Sequence, residues 1–479
     1  MKLELTALRG MKICVAVSGG RDSMALLHLL NARSEEYTIS LCALNCEHGL
    51  RGEASKHDSQ FVKTICEKWD IPLLTFSEDC KRLAKDRGVG EEVAARDWRR
   101  SCYVLAAEHF GKDNFESFAI ATAHHANDNA ETLLFNIARG SGLAGACGIC
   151  DGEINLPASP SVKVKIVRPL ISCTRDEIDD YIASNNIPFV EDETNRSTQF
   201  TRNYIRINVI PSLEKCVSGA VNGIYRFSRL AMEDEEYFDK LIEEKQLIRN
   251  TPFGVEIALC EEKVIFRRAA LKAIKLLNCQ IKDYTSEHMQ VLFDLQSSER
   301  SKKFEFCGLV AFNEGNGIGI CLKEQLAPVN ESVLLTDYIN DAKSRFCGVN
   351  LSIKKRLDRE YAATNGIACE NDRVLNLDSS RVPGNAVIRF RRSDDRFRKL
   401  GSGEKSLNDF FTDKKISVRL RDRIPVLACE NHVLAVCGVE ISEDVKITDN
   451  TQEILCICGY DFSSKTELPP TYVPINKNF

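Results

Sequence analysis

Ser18-Gly19-Gly20-Arg21-Asp22-Ser23 stands between the apolar run Lys12 to Val17 and an amphipathic stretch, Asp22 to Ala32. A β-branched run that halts at paired glycines and resumes with helical spacing reads as strand, tight turn, helix. Two glycines let the backbone come close to a ligand, Ser18 and Ser23 add hydroxyl donors, and the helix aims its positive end at the turn. These properties make the turn a cradle for pyrophosphate. It lacks the lysine and the spacing of the loop that ends in Gly-Lys-Ser/Thr. The bland alternative is a serine- and glycine-rich helix cap.

Outward from this turn the same rhythm continues. Thr38 to Asn45, Pro72 to Ser77, Ser117 to Ala123 and Val162 to Val167 read as strands, and Glu53 to Trp69, Glu91 to Phe110 and Asn127 to Arg139 as helices. Such alternation predicts an α/β fold, a parallel doubly wound sheet with crossover helices. Ligands on such sheets sit beyond the C-terminal strand ends, so the polar sequences after the first, second and fourth runs should meet in one crevice.

Four further segments carry candidate chemistry. His48-Gly49-Leu50-Arg51, with Ser55 and Asp58, follows the second strand and offers phosphate or base contacts, or a solvated turn. Arg96 and Arg99 are three apart, share a helix face and could grip phosphate, although a charged helix surface reads equally well. In Ala123-His124-His125-Ala126-Asn127-Asp128-Asn129-Ala130-Glu131-Thr132, the spacing of four and three puts His124, Asp128 and Glu131 on one face. That trio could hold magnesium, accept a proton or bind an amine, or could simply be an acidic helix start. Zinc would need more ligands. The fifth segment runs from Arg168-Pro169-Leu170 through Arg175, Tyr181 and Asp192-Glu193-Thr194-Asn195 to Phe200-Thr201-Arg202-Asn203-Tyr204-Ile205-Arg206. Its paired arginines with an aromatic between suit RNA stacking and phosphate contact, although charge on a helix surface reads equally well.

At 479 residues the chain exceeds one hydrophobic core. After Pro211 the alternation stops, and Val221 to Leu247 and Val264 to Leu277 read as charged amphipathic helices. From about Arg373 strands return, with Ile424 to Ala428 and His432 to Cys437 flanking a hairpin turn. We therefore expect boundaries at 1–213 for the α/β domain, 214–372 for a mainly helical domain, 373–463 for a small basic α+β domain and 464–479 for a loose tail. Net charge is −5, so attraction for nucleic acid must be local. From Arg381 to Arg423, 13 Lys or Arg face 6 Asp or Glu, an excess of 7. The 20 cysteines are scattered through a chain without an export signal or an apolar span, which fits a reducing, cytoplasmic setting and core thiols.

The loop resembles the SGGxDS signature of the PP-loop ATP pyrophosphatases, enzymes of adenine-nucleotide-α-hydrolase-like fold that release AMP and pyrophosphate. Together with the His-Gly-Leu-Arg turn, the Glu92-to-Arg96 helix, the AHHxxDxxET stretch and the RNxIR ending, it is similar to the tRNA(Ile)-lysidine synthetase family. Asp395-Arg396-Phe397 and Lys405-Ser406-Leu407 match that family's later domain. Two departures stand out: Asn127-Asp128-Asn129 replaces His-x-Asp-Asp-Gln, and Arg100 stands where tyrosine is usual. The resemblance implies ligation of free L-lysine to the wobble cytidine of tRNA(Ile) with a CAU anticodon, using ATP and Mg2+.

It also implies roles for residues. Ser18, Gly19, Gly20, Arg21, Asp22 and Ser23 would bind ATP, with Asp22 as magnesium ligand. Asp22, His124, Asp128, Glu131, Arg96 and Arg202 would serve catalysis, and His48, Arg51, Arg99, Arg206, Arg391, Arg392 and Arg398 would contact tRNA. Rival readings are a PP-loop tRNA thiolase, for which Cys147-Gly148-Ile149-Cys150 is the sole CxxC, and a tRNA-binding protein with a decayed ATP site. The sequence leaves monomer and homodimer open, and no membrane partner is expected.

Overall fold

The computed structural model describes residues 5–49, 53–156, 159–191, 201–251, 253–277, 284–327, 330–341, 345–347, 349–356 and 372–460. Arg51, Asp192 to Asn195, Phe200 and the expected tail lie outside them. The chain divides into two compact units, Met1–Tyr237 and Phe238–Phe479.

The first unit is built on β1 (Lys12–Ala16), β2 (Ser40–Glu47), β3 (Leu73–Ser77), β4 (Phe118–Ala121), β5 (Gly152–Leu156) and β6 (Ser159–Val167). Their order is β3-β2-β1-β4-β6-β5. All neighbours pair in parallel except β5, which returns antiparallel along β6. Between the strands run α1 (Arg21–Ala32), α2 (Glu53–Lys68), α3 (Cys80–Arg87), α4 (Glu91–Phe110) and α5 (Ala126–Ala138), with α6 (Arg175–Asn185) after β6. Helices cover both faces, so β1 reads as a continuous apolar run instead of an alternating one. Ile13 and Val15 pack with Leu26 and Leu30 of α1 and Ile178 of α6, while Cys14 packs with Cys102 and Ala106 of α4 on the other face. Chain order reverses between β1 and β4, and that switch point is where a crevice must open.

After β6 a short helix (Thr201–Tyr204) continues as a π-helical turn (Ile205–Val209) and a second helix (Ile210–Cys216). Ile205 and Ile210 pack on Ala126 and Ala130 of α5, which turns Arg206 toward that helix.

Downstream the expected helices form as α7 (Ala220–Glu244) and α8 (Lys263–Leu276), followed by α9 (Ser286–Leu295). The expectation of a mainly helical 214–372 is corrected by a five-stranded antiparallel sheet. Its strands are β7 (Ile248–Thr251), β8 (Gly254–Ala258), β9 (Lys303–Phe306), β10 (Leu309–Asn313) and β11 (Gly317–Leu322), in the order β7-β8-β11-β10-β9. Phe266 and Ala273 of α8 and Leu292 of α9 cover its apolar face. These strands are short, and β10 is wholly buried. A short buried run has no period-2 signal to separate it from a helix segment.

The boundary expected at 372 also shifts, because Val349–Arg356 and Asp372–Asp378 both pair with Ile454–Tyr460 in one sheet. The division into two compact units falls after Tyr237, within α7. The expected hairpin forms between Val426–Cys429 and His432–Val436, with Glu430 at φ 56° in the turn. No described helix is long and apolar enough to cross a membrane.

Candidate active site

The C-terminal ends of β1, β2 and β4 open on a cavity of about 550 Å³ whose walls include Ser18, Gly20, Arg21, Asp22, Ser23, His48, Ser55, Asp58, Arg99, Tyr103, His124 and Arg175. Three of the five segments singled out in the sequence thus converge on it directly, and Arg99 and Arg175 bring in the other two.

The glycine turn is held by its own hydroxyls. Ser23 Oγ accepts the Ser18 N–H at 3.2 Å and donates to the Gly20 carbonyl at 2.8 Å. Gly19 sits at φ +85°, a conformation that side chains rarely adopt, and an added Cβ would lie 3.3 Å from Val62. Its carbonyl accepts the Val190 N–H at 2.9 Å, which fastens the turn to the segment after α6. Gly20 then caps α1, leaving the first-turn N–H groups directed at the cavity.

Arg21 departs from its expected role. Its guanidinium reaches Asp179 of α6 at 2.9 and 3.1 Å and stacks 4.9 Å from the Phe189 ring. What it can offer an anion at the helix start is its backbone N–H.

Asp22 follows in the first turn, and its Oδ1 is buried with no hydrogen-bond partner. An unpartnered carboxylate oxygen beside a phosphate cradle suits a hard divalent cation. Among the described residues no cluster of three His, Cys, Asp or Glu could hold a metal. A cation there would draw its remaining ligands from a nucleotide and water.

His124 lines the cavity, with Thr122 Oγ1 at 3.0 Å from Nδ1. The residue is exposed to the cavity. Partial desolvation by the surrounding protein pushes its pKa down to about 4, opposed by Asp128 and reinforced by Arg168 and Arg99. The imidazole is therefore neutral at pH 7. Unfolded, the same group titrates near 6.5 and takes up a proton that the folded state refuses, so stability falls as pH drops from 6.5 toward 4. His124→Gln is expected to flatten that loss and to leave stability unchanged at neutral and alkaline pH. Urea midpoints across the range check it, and an undiminished slope would assign the loss to other groups.

Asp128 and Glu131 are not open to the cavity as expected. Arg206 Nη2 donates to Asp128 at 3.1 Å and to Glu131 at 3.0 Å, and its Nε donates to Glu131 as well. Burial raises the Glu131 carboxyl while Arg206 opposes it. Arg206, expected to meet tRNA, is thus paired with both carboxylates, neither of which lines the cavity. Arg96 and Arg202 also stay outside the lining. Arg96 is exposed on α4, and Arg202 lies 5.8 Å from the Phe135 ring, which Arg139 also approaches at 5.4 Å.

Spacing on one helix shows which side chains share a face but not what docks on it, so Arg206 escaped notice as a partner of Glu131. The two asparagines that depart from the family pattern have structural partners. Asn127 Oδ1 accepts the Arg175 N–H at 2.9 Å, and Asn129 bonds Ser228 at 2.9 Å and the Ile149 N–H at 2.7 Å. In the CxxC, Cys147 Sγ donates to the Leu143 carbonyl and Cys150 Sγ to that of Cys147, and burial pushes the Cys150 thiol up. Both behave as packed thiols.

In the second unit, four of the thirteen basic residues between 381 and 423 are buried: Arg389, Arg419, Arg421 and Arg423. With Asp395 buried too, nine basic residues face five acidic ones at the surface, a smaller excess than the sequence count. Arg391 pairs with Asp422 at 2.6 Å and Arg398 with Asp444 at 3.1 Å, while Arg392 is exposed.

A switch-point cavity, a self-braced glycine turn at a helix start and an unpartnered carboxylate oxygen in its first turn define a nucleotide-binding domain of the PP-loop class. A family described as PP-loop domain matches residues 2–213, and one described as TilS substrate C-terminal domain matches residues 386–457. The tRNA(Ile)-lysidine synthase of Clostridium tetani is 30% identical over 457 residues, covering 94% of each chain. That of Caldanaerobacter subterraneus subsp. tengcongensis is 29% identical, covering 93% of each. A solved TILS C-terminal domain is 20% identical with a TM-score of 0.20, covering 28% of this chain and 93% of that one. The chain belongs to the tRNA(Ile)-lysidine synthase family.

Proposed function

We propose that this chain joins lysine to C2 of the wobble cytidine in the CAU anticodon of tRNA(Ile), consuming ATP and releasing AMP and pyrophosphate. The observation that carries the reading is the glycine turn opening, with the buried, unpartnered Oδ1 of Asp22, on a cavity at the switch point. Kinship along nearly the whole chain with lysidine synthases supports it, against the thiolase and decayed-site alternatives.

The C2 oxygen of cytidine is a poor leaving group and must first be activated. In this reading it attacks the α-phosphate of ATP, and pyrophosphate departs. The lysine side-chain amine then attacks C2 and the oxygen leaves with AMP. Ser18, Ser23 and the N–H groups of Gly20 and Arg21 would hold the β- and γ-phosphates against the α1 dipole. Asp22 would hold Mg2+, which spreads the charge on the phosphates.

Lysine's side chain is protonated at neutral pH, with a pKa of about 10.4, so a proton must leave before attack. His124, which lines the cavity, would accept a hydrogen bond from the ammonium as a neutral ring, and its lowered pKa makes it a relay that passes the proton on to water instead of keeping it. Asp128 and Glu131 would act mainly by electrostatic attraction for the ammonium from behind, since Arg206 already occupies them. Arg99 and His48, which line the cavity, would contact a base or phosphate of the anticodon, and Arg391, Arg392 and Arg398 would contact the tRNA backbone.

The test is incubation with tRNA(Ile), ATP and isotope-labelled lysine, followed by mass analysis of wobble nucleosides. We expect one label per modified cytidine and one AMP per label. Sulfur incorporation, or AMP formed without tRNA, would overturn the reading.

A further inference from the structure

Two adjacent histidines follow β4, and only the first meets the cavity. His125 is fully buried. It caps α5: Nδ1 accepts the Asn127 N–H at 3.2 Å, and the His125 backbone N–H donates to Asp128 Oδ2 at 3.1 Å. A nitrogen that accepts a hydrogen bond carries no hydrogen, so the ring hydrogen is on Nε2.

That Nε2 lies 3.4 Å from Asp128 Oδ2 and 3.7 Å from Asp22 Oδ2, buried and hydrogen-bonded to neither. A cap alone would not require this. Asp caps helices with no donor at all, and the Ser or Thr hydroxyl is its own capping acceptor, whereas the imidazole carries a donor from its far edge to the phosphate loop, where Asp22 Oδ1 is unpartnered as well.

We propose that His125 is a positioning residue, whose Nε2–H sets the Asp22 carboxylate at the phosphate loop and links it to the Asp128–Arg206 pair. It acts through Asp22 and never touches substrate. The proposal rests on the reading that Asp22 serves the reaction. A small displacement of Asp22 would bring its Oδ2 within hydrogen-bond reach of Nε2.

Two substitutions separate the two ends of the ring. His125→Asn keeps an acceptor for the Asn127 N–H and removes the donor at Nε2, while His125→Gln reaches Asp22 with an amide donor and gives up the cap. For His125→Asn we expect a thermal midpoint near that of wild type and single-turnover AMP formation slowed by roughly 10- to 100-fold, the usual effect of losing an outer-shell partner. For His125→Gln we expect a lower midpoint and AMP formation closer to wild type.

The decisive comparison repeats His125→Asn in an Asp22→Asn background, with ATP affinity measured by calorimetry beside turnover. A residue that acts through Asp22 costs nothing further there, in rate or in affinity. If Asp22→Asn alone turns over normally, the assignment of Asp22 fails and takes the proposal with it. If Asp22→Asn is slow but His125→Asn costs as much in both backgrounds, or if Gln is as slow as Asn while still folded, His125 is structural only and the proposal is overturned.

Discussion

Replacing Asp22 by alanine is expected to leave a folded protein that has lost tRNA- and lysine-dependent release of AMP. The side chain contributes little to the fold. Its Oδ1 has no hydrogen-bond partner, and Oδ2 stands 3.7 Å from His125 Nε2. What the fold does lose is a favourable charge in the first turn of α1, a matter of about 0.3–1 kcal/mol. The reaction loses much more, because a fixed charge beside transferring phosphates acts where charge develops. Removing one such stabiliser typically slows catalysis by roughly 10²–10³-fold. Thermal melting and single-turnover AMP formation, measured on the same preparation, separate the two effects. Turnover at the wild-type rate would remove the glycine turn from the mechanism, and a collapse of the melting midpoint would mean that Asp22 braces the turn.

The part of the fold that binds this turn was legible because two signals agree there. β1 is apolar from Ile13 to Ala16 between two covered faces, and α1 resumes a helical period right after the glycines, so strand, turn and helix each follow from local chemistry. The rule that ligands gather beyond strand ends then placed His48, Asp22 and His124 together without any knowledge of contacts. What stayed hidden depends on partners distant in sequence. Arg206 is seventy-five positions from Glu131, and nothing in either local pattern announces their ion pair. Arg21 likewise reads as a phosphate ligand until Asp179 comes to meet it. The basic stretch after Arg381 misled for the same reason. Charge counts assume solvent exposure, and four of its arginines are used inside the fold.

Among those four, Arg419 carries the largest expected effect on stability. It sits in the short helix Val418–Arg421, its side chain wholly buried. Nη2 reaches Glu256 of β8 at 2.8 Å, Nε reaches Glu314 next to β10 at 2.8 Å, and Nη1 donates to Thr251 Oγ1 at 3.0 Å. One guanidinium thus ties the basic C-terminal fold to the five-stranded sheet within the second unit. Burial raises Glu314, but Arg419 outweighs it and carries that carboxyl below its ordinary value. Glu256 is pushed up, by burial first and then by Glu314.

Arg419→Met is roughly matched in length; it leaves Glu314 without its cation and Glu256 with Arg249 alone. Breaking a buried pair from one side typically costs about 3–5 kcal/mol, far above an exposed pair. The sign of the pH dependence follows. Without the arginine both acids have folded-state pKa values above their unfolded ones, so the variant keeps most stability where they are protonated and loses it as pH rises through those values. Urea midpoints of wild type and variant should therefore diverge from acid toward neutral pH. Adding Glu256→Gln and Glu314→Gln should restore much of the difference, because the penalty lies in stranded charge and not in lost packing. A deficit that is constant with pH, or that persists with both acids neutralised, would instead place the role of Arg419 in its bond to Thr251 and in the volume it fills.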